Sequence, residues 1–70
     1  RDRDLAHIVG GLEDIVFAYP FVWKLKDAVR LLLPDGSPKL IDSLLHRLRA
    51  LGINQKNWKK MLRPELALLL

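Results

Sequence analysis

The sequence predicts an all-α fold of four to five short helices, arranged either as an orthogonal bundle or as a fragment of an α-solenoid repeat array. Three observations predict it. Apolar residues recur at i, i+3, i+4 and i+7 in successive stretches, and nowhere do they alternate with period two over a useful length. Pro20, Pro34-Asp35-Gly36, Gly52 and Pro64 fall between those stretches as breaks. Half of the 70 residues are hydrophobic and Leu dominates, which suits helices packed on helices. Cysteine is absent, so neither disulfides nor thiolate-bound metal can staple the chain. A chain of this length buries only about 60% of the surface its unfolded form exposes, so every helix must contribute to one core.

The first helix is expected over residues 4–19, with Asp4 as N-cap and Leu5, Ile8, Val9, Leu12, Ile15, Val16 and Tyr19 as the buried stripe. Gly10 and Gly11 inside it cost about 1 kcal/mol each relative to Ala, and close packing against a neighbouring helix accounts for them better than a hinge. Pro20 cannot continue the helix and disfavours helical geometry at Tyr19. A second helix is expected over 21–33, with Val22, Leu25, Val29 and Leu32 inward. The turn Pro34-Asp35-Gly36 combines a fixed φ, an Asx-type hydrogen bond and a glycine with access to positive φ.

Ser37-Pro38 opens the third helix, over 38–51, with an N-cap hydroxyl followed by proline at the first helical position. Leu40, Ile41, Leu44, Leu45, Leu48 and Leu51 make the cleanest apolar face in the chain, and Gly52-Ile53 is a natural helix end. A fourth helix is expected over 55–63, capped by Asn54, with Trp58, Met61 and Leu62 inward. A last turn runs over 64–70. The chain begins Arg-Asp-Arg-Asp and ends Leu-Leu-Leu, and residues 1–70 read as one helical domain excised from a longer protein.

The net charge of +4 is unevenly distributed. Residues 1–36 carry five basic and six acidic side chains; residues 37–63 carry seven basic ones against Asp42 alone. On a helix spanning 55–63, Lys56, Lys59, Lys60 and Arg63 share one face, opposite Trp58, Met61 and Leu62. Like charges at those spacings repel by about 0.2–0.5 kcal/mol per pair. A helix selected for stability alone would carry Glu at some of them. A charge run is ordinarily a solvated face. Read functionally, this one contacts the phosphates of a nucleic-acid backbone, with Arg47 and Arg49 extending the patch. No aromatic is interleaved with it in sequence, which argues against a base-stacking platform.

Phe17 falls off the first helix's apolar stripe, beside Gly10, Glu13 and Asp14. With Phe21 and Trp23 just after the bend, and Leu69 and Leu70 at the C-terminal end, it makes the alternative reading: a protein-interaction module docking a partner or the rest of its own chain. Attachment to an anionic membrane through the fourth helix is a third option, weakened because Trp58 and Met61 are needed inside. No apolar run approaches the roughly 20 residues of a membrane span.

Catalysis is the least expected class. His7 and His46 lie on polar faces of different helices, Asp42 and His46 make an ordinary helix pair, and Ser37 and Ser43 lack a base. No carboxylate pair converges, and Gly10-Gly11 follows no strand, so it is not a phosphate loop. No metal, cofactor or small-molecule substrate is implied.

Two stretches echo each other. Leu12-Glu-Asp-Ile-Val-Phe-Ala-Tyr-Pro20-Phe-Val-Trp and Asn54-Gln-Lys-Asn-Trp-Lys-Lys-Met-Leu-Arg-Pro64-Glu-Leu-Ala-Leu-Leu are both amphipathic segments that break at proline and resume with apolar residues. Between them a leucine-rich helix closes on Leu51-Gly52-Ile53. This order resembles the helical repeat of the mitochondrial transcription termination factor (mTERF) family. The resemblance implies a solenoid binding nucleic acid in an organelle, with Pro20 and Pro64 as repeat prolines; without it, only an intracellular location is expected. The prolines lie 44 residues apart, longer than that family's repeat, and the second helix with its Pro-Asp-Gly turn reads as an insertion. A helix-turn-helix pattern at Ala50-Leu-Gly-Ile-Asn54 fits less well, because Leu48 and Arg47 stand where a small and an apolar residue are needed.

Overall fold

The element order is α1 (Arg3–Ala18), α2 (Leu25–Leu32), α3 (Pro38–Ala50), α4 (Trp58–Met61) and α5 (Pro64–Leu69). A computed structural model describes residues 2–62 and 64–70, with Pro64 and Glu65 by backbone only. The five helices form an orthogonal bundle around α1, which packs against α5, α2 and α3. The radius of gyration is 10.9 Å, against about 11 Å expected for a globular chain of this length. Of the two architectures open from the sequence, the bundle is the one observed.

Helix α1 is long because its N-terminus is capped and its apolar stripe is continuous. The cap is Asp2, two residues before the expected Asp4: its Oδ1 accepts the Leu5 N–H at 3.1 Å. Leu5, Ile8, Val9, Leu12 and Ile15 are buried. Gly11 permits the close approach of α2, since a Cβ there would stand 2.8 Å from Leu32 Cδ2, whereas Gly10 faces open space. Tyr19 does not join the stripe. It is exposed, because the chain leaves the helix at Pro20 and its N–H closes only the last turn, on Ile15 O.

Helix α2 starts four residues later than the periodicity suggested. Residues 22–24 are not helical, and the Val22 N–H closes a turn on Tyr19 O at 3.0 Å. The reason is competition: the carbonyls of Pro20 and Trp23 accept hydrogen bonds from side chains of residues 55–59 instead of from the next helical turn. Leu25, Ala28 and Val29 then bury the inner face. In the following turn Gly36 does not take the positive φ expected of it; its missing side chain leaves room for Leu33 and Ile41 instead.

Helix α3 follows its local signals closely. Ser37 Oγ accepts the Leu40 N–H at 3.1 Å with Pro38 in the first turn. Ile41, Leu44, Leu45 and Leu48 are buried, while Leu40 and Leu51 at its two ends are partly exposed. Its end is a Schellman motif: the Gly52 N–H donates to Arg49 O at 2.9 Å, the Ile53 N–H to Leu48 O at 3.0 Å, and Gly52 takes φ 90°. Ile53 is thereby delivered to the core.

The fourth helix is one turn rather than the expected span 55–63. Asn54 Oδ1 accepts the N–H groups of Lys56 (2.9 Å) and Asn57 (3.2 Å), and Asn57 Oδ1 accepts the Asn54 N–H at 2.8 Å. This paired side-chain turn holds residues 54–57 outside a helix, the usual way Asn competes with helical hydrogen bonding. Trp58 is inward as expected, at 1% exposure, and Leu62 packs partly against the core, but Met61 is exposed. Helix α5 closes the molecule. Leu66, Ala67 and Leu70 pack on the core, and Leu70 O accepts the Asp2 N–H.

Candidate docking face at the α1–α2 bend

The segment 55–59 is built into the connection between α1 and α2. Gln55 Oε1 accepts the Leu25 N–H at 2.8 Å, supplying the N-terminal cap that Lys24 does not provide. Its Nε2 donates to Trp23 O at 2.9 Å, and the buried Trp58 Nε1 donates to the same carbonyl at 2.8 Å. Lys59 Nζ donates to Pro20 O at 2.7 Å and lies 3.8 Å from the centroid of the Trp23 ring and 5.4 Å from that of Trp58. Three side chains within five residues thus fasten a non-helical connector by main-chain hydrogen bonds and a cation–π contact worth about 0.5–2 kcal/mol.

This clasp changes the meaning of the basic stripe. The geometry that put four cations on one helix face required a helix over 55–63, and α4 covers only Trp58–Met61. Lys59 is half-buried and committed to Trp23 and Pro20 O. Arg47 Nη2 donates to Asp2 Oδ2, tying α3 to the start of α1. Arg63 lies outside the described residues. Lys56, Lys60 and Arg49 are exposed. Of the six residues read as nucleic-acid contacts, Lys59 and Arg47 thus have partners within the fold, while Lys56, Lys60 and Arg49 face solvent.

The aromatic residues behave differently. Phe17 is 91% exposed, Phe21 74% and Trp23 68%, and Tyr19 stands beside them with its ring edge-on to Phe21 at 6.0 Å between centroids. Leu31 is exposed on the adjoining face of α2. Two open hollows flank the bend. One is lined by Glu13, Val16, Phe17, Lys59 and Leu62, the other by Tyr19, Phe21, Val22, Asp27, Arg30 and Leu31. Glu13 Oε1 is buried in the first without a hydrogen-bond partner.

Of the interface candidates at the C-terminal end, Leu69 is 77% exposed, whereas Leu70 is half-buried against the core. Sequence reasoning singled out Phe17, Phe21 and Trp23 but missed Tyr19, Leu31 and Gln55. The proline after Tyr19 signalled that Tyr19 would leave the helix. Nothing in the pattern marked Gln55, whose partners lie 30 and 32 residues away. Among the described residues no group of three His, Asp or Glu side chains could hold a metal ion, and no helix is long and apolar enough to cross a membrane. No protein-family model matches this chain, and no curated protein or solved structure is significantly similar to it.

Proposed function

We propose that this chain is a non-catalytic protein-docking module whose binding face is the aromatic surface around the α1–α2 bend. One observation carries the reading: Phe17 at the end of α1 and Phe21 and Trp23 in the connector after it are exposed on a bend that is fastened, not loose. Leaving a large side chain exposed forgoes about 1.5–3 kcal/mol of burial, and clustered exposure of this kind marks interaction surfaces. Aromatic anchors held in place before binding also lose less entropy when a partner arrives.

A second reading retains nucleic acid as the partner, and the resemblance to mTERF repeats would then place the chain in an organelle. It is favoured by the stretch 43–64, which contains no acidic residue, and by the exposure of Lys56, Lys60 and Arg49. It is second because Lys59 and Arg47 already have partners within the fold.

The test is selection from a random peptide library on the folded domain, with binders re-measured on a Phe17→Ser/Phe21→Ser variant checked by circular dichroism. Peptides that lose about tenfold or more in affinity on the variant support docking at the bend. Salt-sensitive binding to mixed-sequence duplex DNA or single-stranded RNA, retained by that variant and lost by Lys56→Gln/Lys60→Gln/Arg49→Gln, would establish the second reading in its place.

A further inference from the structure

Resting on the docking reading, we infer that the partner segment is acidic as well as apolar, seating an apolar anchor beside Phe17 while its carboxylates lie along a lysine edge. The edge is made by tertiary contacts. Lys24 precedes the residue whose N–H is held by Gln55, so the chain carrying Lys56 and Lys60 runs alongside it. Lys59, between them, rests on the Trp23 ring. Lys59 thus lies against the exposed aromatic ridge, and Lys24, Lys56 and Lys60 are its exposed neighbours along two chain stretches joined by the Gln55–Leu25 hydrogen bond.

These lysines differ from other cations of the fold in what they face. Lys26 pairs with Asp42 at 3.4 Å and Arg47 with Asp2. Among the described residues, none of Lys24, Lys56, Lys59 and Lys60 forms an ion pair with a carboxylate. The segment behind the edge supplies no acid between Asp42 and Glu65. Lysines left open in this way can steer and orient an approaching segment that carries acids at matching positions. The acids are expected over the edge and not in the hollow, because Glu13 already occupies the hollow's wall.

A polynucleotide suits this surface less well. Lys59 covers one face of Trp23, which takes that face from a stacking base. An acidic segment with a leucine or aromatic anchor uses both halves of the surface.

The peptide selection decides the matter when its output is read for charge. The expected result is enrichment of Asp and Glu around Leu, Phe or Trp anchors. Binding should weaken by about tenfold on Lys24→Gln/Lys56→Gln/Lys60→Gln, and by a similar factor on raising salt. Phe17→Ser/Phe21→Ser should abolish it at either salt concentration. Neutral or basic peptides that bind at the aromatics, indifferent to the lysine variant, overturn the acidic partner and leave the docking face standing. Failure to select any peptide dependent on Phe17 and Phe21 overturns the docking face itself. Single-stranded RNA, or vesicles of phosphatidylserine and phosphatidylcholine, binding with the same dependence on both variants while peptides do not would assign the face to a different macromolecule.

Discussion

Helix α3 and the segment 54–61 lie next to each other in the chain and are held in opposite ways. Helix α3 carries its own instructions: Ser37 caps its start, four buried aliphatic residues repeat along one face, and Gly52 closes its end with a Schellman turn. The segment 54–61 has few such instructions. Two asparagines keep half of it out of a helix, and its remaining side chains reach across the molecule to Pro20, Trp23 and Leu25. One stretch is stabilised by what lies within four residues; the other is stabilised by what lies 30 to 39 residues away. The difference teaches that a basic, amphipathic-looking segment can be a structural strut, its lysine acting as a hydrogen-bond donor before it acts as a surface charge.

The strongest way to break the contrast is Trp58→Ala. It should cost about 3–5 kcal/mol, because it opens a cavity in the core and removes one of the two donors to Trp23 O. Against a total stability of roughly 4–10 kcal/mol for a chain this size, urea unfolding followed by circular dichroism should show the midpoint fall by about half or more. A loss below about 1 kcal/mol would mean the segment is not the joint described. Gln55→Ala comes next, at about 1–3 kcal/mol, since it orphans the Leu25 N–H and weakens the hold on Trp23 O. Its signature is distant: amide exchange should accelerate at Leu25, at the start of a helix 30 residues from the substitution.

Gly52→Ala tests α3's own termination. An Ala at φ 90° costs about 1–2 kcal/mol, and the loss should appear as a lower thermal midpoint with Ile53 less protected. Ser37→Ala is the mildest, about 1 kcal/mol. Its exchange effect should stay within the first turn of α3. If instead Ser37→Ala disturbs the 20–25 connector as much as Gln55→Ala does, the division between locally and distantly held elements is wrong.

How legible each part was in the sequence follows the same division. The ends of α3, the inward Trp58, the off-stripe Phe17 and the close packing at Gly11 were all readable, because each depends on spacing within one helix or on the conformational range of one residue. The late start of α2 was not. Val22 continued the expected periodicity, yet the carbonyls nearby found donors that no local pattern announces. The extent of the fourth helix was misread for the same reason: Asn54 and Asn57 bond each other's backbone and keep residues 54–57 outside it. The clustering of Phe17, Phe21 and Trp23 was half readable, as neighbours around Pro20, but their meeting with Lys59 was not.

The sequence by itself therefore determined the all-α class, the approximate position of every helix and most of the core, because helical periodicity and capping are short-range physics. Only the tertiary structure decided which side chains reached across to the α1–α2 connector. A carbonyl outside a helix takes its donor wherever the fold supplies one, and here Gln55, Trp58 and Lys59 supplied donors to a connector more than 30 residues away. That choice took a lysine out of the charged stripe, fixed an aromatic ridge in solvent and set the two side by side.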